Sequence, residues 1–212
     1  MVKKFTLILL VLISTISNAQ NCFWAKSAGG TNSDNSNAIT TDLNGNVFVT
    51  GEFIGSITFG STTLTGSGSS TGFIVKYTPT GTVIWAQLLN GKGNGMTTDN
   101  IGNLYVIGNY YGTKLFGTIS LTAIGYEDIF VAKYDATGNV MWAASTGGNK
   151  HDDGNSIVMD GAGNIYLTAK FYSDSVNFGS TTLYHDSNSI NSNPDMLIAK
   201  YDATNGNMLW VK

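Results

Sequence analysis

Apolar residues alternate with polar ones in short runs along this chain, and the runs recur. Phe130-Val131-Ala132-Lys133-Tyr134 is a strand-like stretch. It is followed by the turn Asp135-Ala136-Thr137-Gly138-Asn139 and by a second run that reaches Trp142. The same order appears from Phe73 to Trp85, and again from Leu197 to Trp210 with one residue inserted in the turn. Runs of 4–8 residues bounded by Gly, Asn, Asp and Thr are strand and hairpin signals. No segment carries a sustained helical period with caps.

Aligning the chain on its tryptophans gives spacings of 61, 57 and 68 residues from Trp24 through Trp85 and Trp142 to Trp210. Other landmarks hold register inside each unit. Asp42-Leu43-Asn44-Gly45-Asn46 returns as Asp99 to Asn103 and as Asp160 to Asn164, and Phe59-Gly60-Ser61-Thr62-Thr63-Leu64 returns as Phe116 to Leu121 and as Phe178 to Leu183. Asp bonds its own backbone to start a turn and Gly takes the positive φ that closes it. Asp-x-x-Gly-Asn therefore predicts a hairpin loop with a bulge. Each unit reads as four strands, with the Phe-Gly-Ser-Thr-Thr-Leu segment as a small extra hairpin between the second and third. The third strand is nearly continuous in apolar character, which suits a sheet covered on both faces. Its lysine (Lys76, Lys133 or Lys200) is expected to bury its stem and keep its ammonium in water.

A four-stranded unit of this size cannot bury both faces alone. Radial stacking of copies gives a β-propeller, with the tryptophans and Tyr77, Tyr134 and Tyr201 between blades. The predicted fold is all-β: four-stranded antiparallel blades at roughly 36–90, 93–148 and 154–212, about three in number, as a partial or open array, with a spare strand around Trp24.

The run from Asp153 through Asn164-Ile165-Tyr166-Leu167-Thr168 resembles the SBBP-type β-propeller repeat of secreted bacterial proteins, as does Ala132-Lys133-Tyr134-Asp135-Ala136-Thr137-Gly138-Asn139 with Trp142. The resemblance covers residues 20–212. It implies a propeller in an extracellular or cell-surface setting, and it brings no catalytic residues with it. Two tryptophans, Trp24 and Trp210, compete for the closing position of a ring. Such an array is expected to be a segment of a longer chain, or to close as a homodimer of two three-blade halves.

The N-terminus changes the setting. Lys3 and Lys4 precede the apolar run Phe5 to Ile13, and Asn18-Ala19 ends the polar patch that follows. This is the order of a cleavable signal peptide over residues 1–19, which predicts secretion. The apolar run is too short for a membrane span, which needs about 20 residues. Cys22 is the sole cysteine, so no internal disulfide staples the fold. Gln20 and Asn21 before it depart from the small residues that lipid attachment needs.

Charge narrows the partners. The net charge is -3, and none of the 11 basic residues is Arg. Arg dominates bidentate phosphate and guanine recognition, so nucleic acid is excluded as a partner. His151-Asp152-Asp153 is the densest polar cluster. Two carboxylates and an imidazole on a blade connection are residue types that ligate a cation, but the counterpart Asn32-Ser33-Asp34-Asn35 in the first repeat carries only one acid, so the cluster is expected to be a solvated loop and no metal is expected. The Asp-x-x-Gly-Asn turns offer one carboxylate each, too few for calcium. Gly91-Lys92-Gly93-Asn94-Gly95 lacks the phosphate-loop order and reads as a shortened connection.

The Asp-Ala-Thr-Gly-Asn-x-x-Trp run also resembles the tryptophan repeats of pyrroloquinoline quinone dehydrogenases. Those need about eight blades and an acidic calcium-cofactor site that this chain lacks, so no cofactor is expected. The two Glu residues, Glu52 and Glu127, fall at different places in the repeat. No catalytic arrangement stands out. The expected role is a non-catalytic interaction or structural module for an unidentified protein. Its working surface would be the loops where repeats differ, Gly66 to Gly72 and Tyr184 to Asp195. The alternative is a glycan-binding module using Tyr110, Tyr111, Tyr172 and Tyr184.

Overall fold

The computed structural model describes residues 22–68, 70–185 and 193–212. The expected leader at 1–19 lies outside them, as does most of the Tyr184 to Asp195 loop. Eighteen strands and no helix make up the described chain.

The first blade consists of β1 (Asp34–Thr41), β2 (Val47–Phe53), β5 (Thr71–Tyr77) and β6 (Val83–Leu89), paired antiparallel in that order. Between β2 and β5 the hairpin β3 (Ser56–Phe59) and β4 (Thr62–Thr65) stands apart as a two-stranded sheet. The second blade repeats this as β7 (Lys92–Thr98), β8 (Leu104–Tyr110), β11 (Asp128–Tyr134) and β12 (Val140–Thr146), with hairpin β9 (Thr113–Phe116) and β10 (Ile119–Thr122). The third blade is β13 (Asp152–Met159), β14 (Asn164–Phe171), β17 (Asp195–Asp202) and β18 (Met208–Val211), with hairpin β15 (Ser175–Phe178) and β16 (Thr181–Tyr184). The first strands β1, β7 and β13 lie side by side, so the blades are arranged around a common axis. This is an open β-propeller array.

Alternation decides which residues leave water. In β11 every residue is buried, because each face of the second blade meets a neighbouring blade. Phe48, Ile74 and Leu89 from the first blade pack with Leu104, Val106, Phe130 and Tyr134 of the second. Tyr105, Ile107, Val131 and Trp142 from the second pack with Ile165, Leu167, Leu197 and Tyr201 of the third. Each small hairpin turns a Phe back onto the blade or its neighbour. The Phe59 ring sits 5.0 Å from Phe73, and Phe116 sits 4.8 Å from Phe130.

The bulges differ in place from the expectation. The Asp42 to Asn46 loop closes in register, with Thr41 opposite Val47. The register shifts instead midway along each first strand, between Ser36 and Ala38, Gly93 and Gly95, and Gly154 and Ser156. A second shift lies in each third-to-fourth hairpin, beside Tyr77, Tyr134 and Tyr201.

The mid-strand bulge has a function in packing. It releases Asn37 and Asn94 from the ladder. Their side-chain amides then donate to the Gly93 and Gly154 carbonyls of the next blade, at 3.0 and 2.9 Å.

The lysines also depart from the expectation. Lys76 and Lys133 are buried to their ammonium groups, at 5% and 7% exposure. Each ammonium donates to a backbone carbonyl of the next blade, Ala136 or Ala203, at 3.2 Å. Each also lies near an acid, 3.7 Å from Asp42 for Lys76 and 4.0 Å from Asp99 for Lys133, and over an aromatic ring, Phe48 or Tyr105. A buried charge is tolerated when it is paired and hydrogen-bonded.

The tryptophan opposite each lysine completes the joint. Trp85 Nε1 donates to the same Ala136 carbonyl at 3.3 Å and Trp142 Nε1 to Ala203 at 3.2 Å. Trp142 lies on Gly206 of the neighbouring turn, where φ is +75° and a Cβ would stand 2.7 Å from the ring. Glycine at that position supplies both the left-handed backbone and the flat seat. Trp24 repeats the joint from outside the first blade: its Nε1 donates to the Pro79 carbonyl at 2.9 Å, and its ring lies on Gly81.

The turn aspartates confer a pH dependence. Asp135 is held down to about 2, first by the Thr137 hydroxyl and then by the amides of Asn139 and Thr137, which together outweigh burial. Asp160 is held down to about 2 by the backbone and side-chain amides of Asn164, with smaller contributions from Ala162 and Tyr166. An unfolded Asp titrates near ~3.9. The folded carboxyl binds its proton less readily, so this stability is complete above pH ~4 and is lost as pH falls toward ~2. In thermal unfolding followed by circular dichroism, Asp135→Asn and Asp160→Asn should lose less melting temperature than the parent across that window. Parallel acid limbs in parent and variants would refute the assignment.

Candidate functional site

Antiparallel pairing sorts the loops into two groups. One end of the array carries the glycine-closed turns at 42–46, 78–82, 99–103, 135–139, 160–163 and 203–207, each opened or preceded by Asp except 78–82, which opens on Thr78. Among the described residues, the other end carries the blade connections, the small hairpins and the segments that differ between repeats, at 53–68, 70–71, 89–92, 110–128, 146–152, 171–185 and 193–195. The second end is the candidate surface.

Its polar groups form linked pairs from blade to blade. Lys92 of β7 pairs with Glu52 of β2 at 3.0 Å, and Ser70 Oγ donates to Glu52 at 2.6 Å. Burial alone would raise the Glu52 carboxyl; the Ser70 hydrogen bond and the Lys92 hydrogen bond and charge outweigh it and hold the group below the usual carboxylate range. Asn94 donates to the Asn109 side-chain oxygen at 2.9 Å, and Asn109 in turn donates to Glu127 at 2.9 Å. His151 Nδ1 stands 3.5 Å from the same Glu127 oxygen, and its ring stacks on Tyr126 at 5.3 Å and 14°. A cavity of about 160 Å³ opens between the first two blades, lined by Glu52, Ser70, Lys92, Tyr111 and Glu127 among others. Three exposed aromatics lie on this end of the array: Tyr111 at the cavity, Tyr126 on His151, and Tyr184 at the end of the third-blade hairpin.

The structure separates the His151-Asp152-Asp153 cluster. His151 is exposed on Glu127 and Tyr126. Asp153 pairs with Lys170 at 3.3 Å. Asp152 is fully buried and accepts four hydrogen bonds, from Gly148 N (2.8 Å), Tyr172 N (3.1 Å), Ser173 N (3.2 Å) and Ser173 Oγ (2.7 Å). Successive strand residues point to opposite faces, so adjacency in sequence disperses these three groups. Among the described residues no three His, Cys, Asp or Glu side chains gather as metal ligands. Cys22 is an exposed free thiol.

The glycan candidates also divide. Tyr110 is core, 1% exposed, edge-on to Phe116 and Phe130. Tyr111 and Tyr184 are exposed, and Tyr172 is half-buried beside Lys170. In the sequence Glu52 and Glu127 occupy different places in the repeat, and Lys92 reads only as part of a shortened connection. The signal available was that all three border segments where the repeats diverge.

A second polar feature is set inside. Asp128 is 1% exposed, and burial pushes its carboxyl above the ordinary range; amides of Ile124 and Gly125 pull it down, and Asp152 adds to the rise. It opens β11, two residues after Tyr126.

Two comparisons bear on identity. Residues 24–52 match the family model described as SBBP, a β-propeller repeat. The match begins at Trp24, ahead of the first strand, and runs through β1 into β2. The chain is also 27% identical, over 64% of its length, to an uncharacterized WD repeat-containing protein of Acanthamoeba polyphaga mimivirus. It spans 11% of that relative's length. Among the described residues no helix is long and apolar enough to cross a membrane. Repeat landmarks and antiparallel blades agree with that match: the chain carries an SBBP-type β-propeller repeat at residues 24–52 and folds as an open array of four-stranded blades.

Proposed function

We propose that this chain is a non-catalytic interaction scaffold of a secreted protein, and that it binds a protein partner through the end carrying its divergent loops. One observation carries the reading. The glycine-closed turns at one end are spent on holding the blades, while the opposite end carries exposed Tyr111, Tyr126 and Tyr184 and the partly exposed polar pairs Lys92–Glu52 and His151–Glu127. Exposed aromatics beside fixed polar groups suit protein recognition. The WD-repeat relative and the SBBP repeat support a scaffold; the basic and apolar order of residues 1–19 supports secretion.

The test is selection of binders from a displayed peptide library against the whole chain, followed by Tyr126→Ala and His151→Ala. The expected result is binders whose affinity falls about tenfold or more in these variants, with unchanged circular dichroism. Binders that ignore this end and compete at the glycine-closed turns would overturn it.

A second reading rests on Tyr111, whose exposed ring carries Lys114 at 4.3 Å beside the small polar cavity. Such a platform suits sugar stacking. A glycan array with signal lost in Tyr111→Ala would favour it over a protein partner.

A further inference from the structure

Two packed interfaces inside the chain follow one rule. At each, a blade offers three side-chain donors to backbone carbonyls of the next. Asn37 reaches the Gly93 carbonyl, and Lys76 and Trp85 share that of Ala136. Asn94 reaches Gly154, and Lys133 and Trp142 share Ala203. Because the acceptors are main-chain, the rule requires a bulged first strand and a glycine-closed turn rather than particular side chains.

The third blade repeats the donors as Asn155, Lys200 and Trp210. Register fixes the correspondence, since Lys200 faces Trp210 as Lys133 faces Trp142. Among the described residues none of the three has an acceptor. The surrounding positions are open as well. Met196 is 73% exposed where Ile129 of the second blade is 1% exposed, and Trp210 is 38% exposed where Trp142 is 9%. This face has the composition of a blade interface, and among the described residues no blade covers it.

The outward face of the first blade is the complementary half. Ser36 occupies the position of Gly93 and Gly154, and Pro79 that of Ala136 and Ala203. Beside them runs a groove of about 520 Å³ lined by Val47, Val49, Phe59, Phe73 and Tyr77. The matching residues of the second blade, Leu104, Val106, Phe116, Phe130 and Tyr134, are the ones the first blade packs against.

We propose that the third-blade face of one chain, through Asn155, Lys200 and Trp210, docks on the first-blade face of a second copy. The contact is head-to-tail, and two three-blade copies would close a six-bladed ring and leave no open face. In the single chain the receiving Pro79 carbonyl is held by Trp24. Trp24 sits in a segment with no strand of its own, tied by that indole bond and the isolated Gly29–Thr58 bridge. Trp24 is therefore a competitor that Trp210 of the partner must displace, and the two tryptophans act in opposite directions. This inference rests on the scaffold reading only in taking the chain as a three-blade array; it is independent of what the divergent loops bind.

Size-exclusion chromatography with light scattering on the full chain tests it over a concentration series. The expected result is a concentration-dependent dimer that Trp210→Ala weakens about tenfold or more and Trp24→Ala tightens. Asn155→Asp, at an exposed position whose side chain has no hydrogen-bond partner among the described residues, should weaken the dimer while leaving circular dichroism unchanged, which guards against misfolding of the tryptophan variant. A monodisperse monomer for both the parent and Trp24→Ala overturns the proposal. So does a dimer indifferent to Trp210→Ala and Asn155→Asp, or one weakened by Trp24→Ala. Ligand selection at the divergent loops should be unchanged in these variants, so failure there and failure here are separable.

Discussion

Phe130→Ala is expected to destabilise the chain by about 3–5 kcal/mol, the upper range for removing a buried aromatic ring. Phe130 is fully buried at the centre of the middle blade. Its ring lies 4.8 Å from Phe116 and 6.4 Å from Tyr110. Two glycines form the wall beside it: a Cβ at Gly91 would come within 2.7 Å of the ring, and one at Gly108 within 3.0 Å. Glycine walls have no side chains to relax into the space, so the cavity left by alanine stays open. The middle blade also carries both inter-blade interfaces, so loosening it releases its neighbours. Phe130→Leu fills much of the space and should cost about 1–2 kcal/mol. Urea unfolding followed by tryptophan fluorescence measures both. A loss for Phe130→Ala no greater than that for Phe130→Leu would show that the glycine-walled slot collapses and that this account of the core is wrong.

The same blade shows how far sequence reading reaches. Its four strands and extra hairpin were legible because local signals agree: alternation, a glycine that must take positive φ, and a tryptophan at fixed distance from a turn. What the repeat could not reveal is the partner of each side chain across a blade interface. Lys133 looks like a snorkelling lysine when only its own strand is considered. Its acceptor, the Ala203 carbonyl, lies in the next repeat, and no local pattern announces it. Asn94 likewise reads as a loop residue until a bulge aims it at Gly154. Tyr110 and Tyr111 are adjacent and alike in sequence; the strand ends between them, so one is core and the other exposed. Glu52 and Glu127 differ in repeat position, yet antiparallel pairing delivers both to the same end. Local order was readable, whereas the candidate surface depends on three-dimensional register between blades.

Asp152→Ala should cost about 3 kcal/mol or more, because it strands buried donors rather than trimming a surface acid. The carboxylate ties the connection before β13 to the loop after β14 by taking Gly148, Tyr172 and both donors of Ser173. With alanine there, the buried amides of Gly148 and Ser173 lose their acceptor inside the protein, where an unsatisfied group costs about 1–3 kcal/mol, while Tyr172 N keeps the His151 carbonyl at 3.0 Å. Asp152→Asn keeps one oxygen but turns an amide toward donors, so its loss should be intermediate. Its neighbour provides the contrast: Asp153 pairs with a partly exposed Lys170, and Asp153→Ala should cost only about 0–1 kcal/mol. Chemical denaturation of the three variants reads the difference directly. Equal losses at 152 and 153 would sink the assignment. So would a rise in melting temperature with excess calcium that Asp152→Ala abolishes, since a carboxylate already accepting four hydrogen bonds has no lone pair to give a cation.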